Sequence, residues 1–314
     1  MSTENFEVPP GEVASVRIID STTSISRVPT SYLMEPAMPG FDTMNNLPTW
    51  VFLVESPSGQ KAVFDLGVRP DWENMAPDVV YKLHKGGWEI RAEKNVVEIL
   101  REHKIDPEEI NSVIWRGRSL REIDFKSASD LQIGSFSAFD FFGDGSFYLL
   151  DTPGHAVGHL AGLARTTKNP DSFILMGGDL CHHGGEIRPS RFMPIPQEIF
   201  PHPFEIKSSS PCPGAIFESL KGRQNCGETG SFFYPTIGLD IPEAISTIRK
   251  TQVADCRDDI FFVYAHDKSL RGVVDFFPKS ANEWKQKGWA KALKWSFLED
   301  FKSSVAHSNT NGTK

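Results

Sequence analysis

The stretch Asp151-Thr152-Pro153-Gly154-His155 ends an apolar run, and two later stretches repeat its plan: Gly177-Gly178-Asp179 and Ala265-His266-Asp267. Each sets a His or Asp where an apolar segment runs out into a loop. Phe147-Tyr148-Leu149-Leu150 precedes the first, Ser172-Phe173-Ile174-Leu175-Met176 the second and Ile260-Phe261-Phe262-Val263-Tyr264 the third. Short apolar runs bounded by turn residues read as buried strands. A hydrolytic metal site takes imidazole and carboxylate donors from the ends of such strands. His155, Asp179 and His266 are therefore the candidate metal ligands.

Working outward, strands and turns alternate through the first half. Val13-Ala14-Ser15-Val16-Arg17-Ile18-Ile19-Asp20 alternates like a half-buried strand. Thr49-Trp50-Val51-Phe52-Leu53-Val54 and Lys61-Ala62-Val63-Phe64-Asp65-Leu66-Gly67 flank Ser56-Pro57-Ser58-Gly59-Gln60, a hairpin signal. Helical spacing appears over residues 95–103, and Ser112-Val113-Ile114-Trp115 begins a buried strand. A strand-rich block follows from Leu131 to Arg165, with Gly143-Asp144-Gly145 as a tight turn. Residues 184–235 are rich in proline and aromatics without periodicity, as expected of a lid or substrate loop. Residues 241–249 read as a helix with proline in its first turn, and residues 281–301 as a Trp/Lys-rich helical segment. The expected organisation is an N-terminal tail over 1–11, one domain over 12–302 and a polar C-terminal tail over 303–314.

Composition narrows the function. The 314 residues are 39% hydrophobic and 24% charged, ordinary for a globular protein with a sizeable core. A net charge of -8 with no basic stripe argues against a nucleic-acid binder. Cys181, Cys212, Cys226 and Cys256 show no CxxC pairing, so neither a thiolate zinc site nor a disulfide framework is expected. No run approaches membrane-spanning length, and the first residues lack a signal-peptide pattern. These features predict a cytoplasmic protein acting on a small molecule, with no nucleic-acid or membrane partner.

Val63-Phe64-Asp65-Leu66-Gly67, the helix and turn ending at Val113-Ile114-Trp115, Thr152-Pro153-Gly154-His155, Gly178-Asp179 and Ala265-His266-Asp267 together resemble the metallo-β-lactamase superfamily. The resemblance spans about residues 12–300. It implies an α+β fold, an αββα sandwich of two facing mixed sheets with helices outside and the site at one edge. It further implies zinc-dependent opening of a cyclic amide or ester, such as a lactam or lactone, of the kind met in xenobiotic degradation and secondary metabolism. By the same resemblance His155 binds a first zinc, Asp179 bridges two and His266 binds the second. Asp65 is then a buried carboxylate supporting the site, and His159 a structural neighbour donating to backbone.

The chain departs from that family at one place. The signature His-x-His-x-Asp-His belongs directly after Trp115, where this sequence reads Arg116-Gly117-Arg118-Ser119-Leu120-Arg121. Arginine stays protonated and offers no lone pair to zinc. Loss of a segment explains this better than substitution in place, because Arg118 to Phe125 already reads as a separate element and about forty residues separate Trp115 from His155. A local disruption of the fold around 115–125 is expected, and no catalytic residue is assigned. The family holds two zinc ions; none or one is expected here. Three readings compete: an intact-family hydrolase represented by a shortened sequence, a folded non-catalytic remnant with a binding role, and a one-metal enzyme using His155, Asp179 and His266. Three ligands plus water is a catalytic zinc count.

Blander roles stand beside each. His155 could cap a turn, Asp179 could be a turn residue after two glycines, and His266 with Asp267 could cap a strand end. His182 and His183 are set aside as an improvised ligand set, since adjacent residues point apart and at most one would face a metal. His84, His103, His202 and His307 are read as solvated.

Overall fold

The computed structural model describes residues 5–114, 123, 125, 130–205, 208–222 and 230–310. Strands β1 (Ser15–Asp20), β2 (Trp50–Glu55) and β3 (Lys61–Phe64) run antiparallel in one sheet. Helices α1 (Pro77–Gly86) and α2 (Val96–Glu102) follow, and β4 (Ser112–Ile114) returns to lie parallel to β3. A second sheet holds β5 (Gln132–Ile133), β6 (Phe136–Asp140), β7 (Phe147–Asp151), β8 (Leu160–Thr167) and β9 (Ser172–Gly178) in antiparallel order. After α3 (Gly184–Ile187), α4 (Ala215–Gly222) and α5 (Ile241–Asp255), the last strand β10 (Ile260–Tyr264) joins β9 in parallel. The chain closes with α6 (Trp289–Leu293) and α7 (Lys302–Thr310).

The period-2 pattern of the strands dictates the layers. Val16 and Ile18, Phe52 and Val54, and Phe147 and Leu149 face one core shared by both sheets. Their neighbours Tyr148 and Leu150 point outward and pack with Ile260, Phe262 and α5 through Ile248 and Ala254. On the other side Ile19, Val51 and Leu53 pack on α2 through Val96, Ile99 and Leu100. Each such side chain, withdrawn fully from water, contributes about 1.5–3 kcal/mol. Helix, sheet, sheet, helix is the order of layers, as the sequence led us to expect. Asn95 caps α2, accepting from the Glu98 N–H at 2.9 Å while Glu98 accepts from the Asn95 N–H at 2.8 Å.

Five expectations are corrected. β4 is an edge strand, so Val113 is 48% exposed instead of buried. Residues 184–235 are not structureless: Ile199, Cys212, Phe217, Phe232 and Phe233 form a third core with Leu33, Phe41, Phe297 and Phe301. The N-terminal stretch is docked, with Phe6 buried beside Ile133 and Phe136 and the Pro9 carbonyl taken by Arg165. Residues 302–310 form α7, with Ser304 buried and Val305 against the third core. The segment at 281–301 is helical only over α6 and a 3-10 turn at Ser296–Phe301. Ile123 and Phe125 pack against the core between the sheets. The expectations at Trp115, Arg116, Arg118, Leu120 and Arg121 lie outside the described residues. No helix among the described residues is long and apolar enough to cross a membrane.

Candidate metal centre

Strands β7 and β9 both run antiparallel to β8, and β10 runs parallel to β9. The C-terminal ends of β7, β9 and β10 therefore open on one edge of the sheet, and each delivers a site residue there. His155 leaves β7 through Pro153 and Gly154. Gly154 has φ +122, and a Cβ there would lie 2.2 Å from the Ala244 nitrogen. Its carbonyl accepts from the N–H groups of Leu239 and Asp240, both at 3.0 Å, and Thr247 donates to the Pro153 carbonyl at 2.7 Å. The turn is thus fastened to the start of α5, a close approach that only glycine permits.

Asp179 follows Gly178, whose carbonyl accepts from the Ala265 N–H at 2.9 Å. The Asp179 N–H donates to His159 Nε2 at 3.1 Å, and His159 Nδ1 lies 3.0 Å from the Thr152 carbonyl. An acceptor at Nε2 requires the proton on Nδ1, so His159 is a neutral imidazole of fixed tautomer. Burial holds its pKa down, against the pull of Asp179. His159 holds the Asp179 backbone N–H at Nε2 and meets the Thr152 carbonyl at Nδ1.

His266 follows β10 and places Nδ1 2.7 Å from the Pro48 carbonyl. That bond commits its Nδ1 proton and leaves Nε2 facing the edge, 3.1 Å from Asp179 Oδ1. His155 Nε2 stands 3.7 Å from the other oxygen, Oδ2. The structure therefore brings His155, Asp179 and His266 together, one imidazole on each carboxylate oxygen. Asp65, at φ +67, spends Oδ1 on its own turn, accepting from Leu66 and Gly67 at 2.6 and 3.0 Å. Burial, then the charge of Asp179, pushes its pKa up. It stands near the cluster electrostatically.

The reading missed His182. Its ring is stacked on that of His266 at 5.7 Å and lies 5.1 Å from that of His155. Donor atoms of Asp179, His182 and His266 all lie within 4.8 Å of one another. His183, the next residue, points the other way, accepting from Gly185 at 3.0 Å and meeting Asp300 at 3.3 Å. Its extended backbone (φ -149, ψ 144) turns successive side chains to opposite sides. The signal in the sequence was the i, i+3 step from Asp179 to His182 across Leu180 and Cys181.

The electrostatics suit a cation. Burial opposes charge on Asp179, yet the hydrogen bond and charge of His266, with His182 and His155 beyond, hold its pKa far below the usual carboxylate range. Burial likewise opposes a proton on His266, but Asp179 outweighs it and raises the pKa. His182 is held down at about 3, chiefly by burial, so its ring carries a lone pair throughout the working range. Imidazole nitrogens beside an ionised carboxylate are the donors that zinc accepts, His266 giving up its Nε2 proton to bind. Among the described residues a buried His182 Nδ1 and a buried Glu186 Oε1 also lack hydrogen-bond partners, polar groups that an apolar core would not leave unpaired. The residues present fit a divalent ion.

No protein-family model matches the chain. It is 38% identical to the γ-lactamase FDB1 of Fusarium pseudograminearum, over 91% of this chain and 82% of that protein. It is 34% identical to the metallo-hydrolase mfmC of Annulohypoxylon moriforme, over 93% of this chain and 88% of that protein. Among solved structures it is similar to an N-acyl homoserine lactone hydrolase with its product N-hexanoyl-L-homoserine bound at the catalytic metal center. That match has a TM-score of 0.52 at 14% identity, covering 86% of this chain and 99% of the other, and shows a shared fold. The FDB1 alignment runs over 342 positions, whereas 91% of 314 residues is about 286, so roughly 56 positions of the relative face no residue here. With mfmC, 343 positions against about 292 residues leave roughly 51.

Proposed function

The chain belongs to the metallo-β-lactamase superfamily, among its γ-lactamase-like metallo-hydrolases, and from that premise we propose that it opens a cyclic amide or ester, a lactam or lactone, with one zinc ion. The observation that carries this is the convergence of imidazoles on Asp179: His266 at 3.1 Å from one oxygen and His155 at 3.7 Å from the other. Asp179 and His266 would hold the ion, with an imidazole from the opposite wall, His155 in the family's arrangement. Bound zinc lowers the pKa of a coordinated water from 15.7 to about 7 and polarises a carbonyl.

The protein's part is to place and charge the donors. Asp179 stays ionised and is fixed through its N–H by His159. His266 presents Nε2 because Pro48 takes its Nδ1 proton. The mouth is apolar: Val157 is 79% exposed two residues beyond His155, and Leu239, 69% exposed, is bonded to the Gly154 carbonyl. Such a rim suits a small organic ring, whereas Phe217, Phe232 and Phe233 of the 184–235 stretch are buried in the third core. The roughly 50 unmatched positions in both relatives accord with a chain that has lost a segment. We read the absence of His-x-His-x-Asp-His after Trp115 as the site of that loss, and of the second ion with it. Without the acidic residue that would orient the attacking water, turnover is expected to be about 10²- to 10⁴-fold below that of a complete site.

Metal analysis of the purified protein with a lactam and lactone panel tests this. One zinc per chain and slow, metal-dependent ring opening are expected. Two zinc ions would refute the lost half-site. Zinc-free protein that turns nothing over would leave a folded, non-catalytic relative.

A further inference from the structure

We propose that His182, and not His155, supplies the second imidazole of the ion site, with Glu186 holding its ring; this rests on the one-metal reading above. The compact group with donors within 4.8 Å of one another is Asp179, His182 and His266. His155 Nε2 reaches Asp179 Oδ2 at 3.7 Å but does not come as close to all three donors of that group. Asp179 with two imidazoles gives three protein donors and leaves a fourth position for water, the catalytic arrangement of zinc.

The segment after Asp179 is built to aim His182. Glu186 Oε2 accepts from the backbone N–H groups of His182 at 2.6 Å and His183 at 2.9 Å, closing the first turn of α3. Glu186 is fully buried and His182 is 5% exposed. His182 Nδ1 faces Glu186 Oε2 at 4.0 Å, and among the described residues neither that nitrogen nor Glu186 Oε1 has a hydrogen-bond partner. A buried carboxyl oxygen behind an imidazole is what fixes the tautomer and orientation of a metal-binding histidine. An unprotonated oxygen of Glu186 can accept the ring N–H whether or not the other carries a proton. A closure of about 1 Å makes the Nδ1–H···O bond, leaving Nε2 as the donor to the ion. Glu186 is thus a positioning residue.

The experiment is zinc titration against a competing chelator, with stoichiometry by elemental analysis and the d–d spectrum of the cobalt-loaded protein. It uses the full chain, His182→Ala, His155→Ala and Glu186→Gln. His182→Ala is expected to weaken zinc by at least about 100-fold and His155→Ala by less than about 5-fold. Glu186→Gln keeps one zinc per chain but weakens it about 10- to 100-fold and shifts the cobalt bands. Loss of zinc in His155→Ala with retention in His182→Ala would overturn this assignment alone. No zinc in the unaltered chain would overturn the one-metal reading with it. Should His182→Ala fail to fold, unchanged affinity and spectrum in Glu186→Gln would suffice to overturn the proposal.

Discussion

Asp255→Asn asks how firmly the segment bearing His182 is tied down. Arg188 directly follows α3 and makes a two-pronged bond to Asp255 at the end of α5, Nε lying 2.7 Å from Oδ2. Its Nη1 donates to the Lys294 carbonyl at 2.7 Å, and the two paired side chains are only 7% and 3% exposed. Arginine cannot escape by losing its proton. Removing the carboxylate charge leaves a buried cation without its adjacent partner, at a cost of about 3–5 kcal/mol. Unfolding entropy of about 2.1 cal/mol/K per residue gives this chain ~0.66 kcal/mol/K, so Tm should fall by roughly 5–8 °C. Calorimetry alongside urea denaturation reads both quantities. The double variant Arg188→Met/Asp255→Leu should recover most of the loss, since apolar groups of similar volume replace a buried pair well. A single variant within about 1 kcal/mol of the parent, or a double variant no better than the single, would refute the reasoning.

Other outcomes follow from the same geometry. Burial holds Glu186 as a neutral acid up to about 8, against 4.5 unfolded, so the folded chain grips the proton more tightly. Its contribution to stability is complete below about pH 4.5 and is lost as pH rises through 8; Glu186→Gln should flatten that fall in urea denaturation of metal-free protein, and identical slopes would count against it. Gly154→Ala drives a methyl into the Ala244 backbone at a positive φ; a loss of about 2–4 kcal/mol is expected by urea denaturation, and a silent variant would show the turn is not clamped. His159→Ala removes the acceptor of the Asp179 N–H; zinc affinity should drop about 10- to 100-fold by chelator competition, with partial recovery in His159→Gln if hydrogen bonding is the cause.

How much the sequence could tell depended on where each contact comes from. The strands that end at Asp151, Gly178 and Tyr264 carry their pattern in local order, so the meeting of His155, Asp179 and His266 was legible from their ends. The hairpin of β2 and β3 and the cap on α2 were equally local. His182 was not legible, because its direction is set by a single turn in which Glu186 takes two backbone N–H groups and His183 turns outward. Residues 184–235 showed no period because their burial is against Leu33, Phe41, Phe297 and Phe301, partners from both ends of the chain. Phe6 and Val8 are isolated apolar residues in a polar stretch, and their burial depends on Ile133 and Phe136 of β5 and β6, distant in the chain.

The parallel pairing of β9 with β10 sets the order in which the molecule can assemble. Gly178 faces Tyr264 across that pair, some 86 positions later in the chain. So distant a pairing needs the α5 crossover in place before it is rewarded, which makes it a slow, late step. Asp179 and His266 hang from its two strands and meet only when that step is complete. An ion gripped there finds no site in the transition state for folding; it should leave the folding rate alone and slow unfolding, acting as a latch and not as a nucleus.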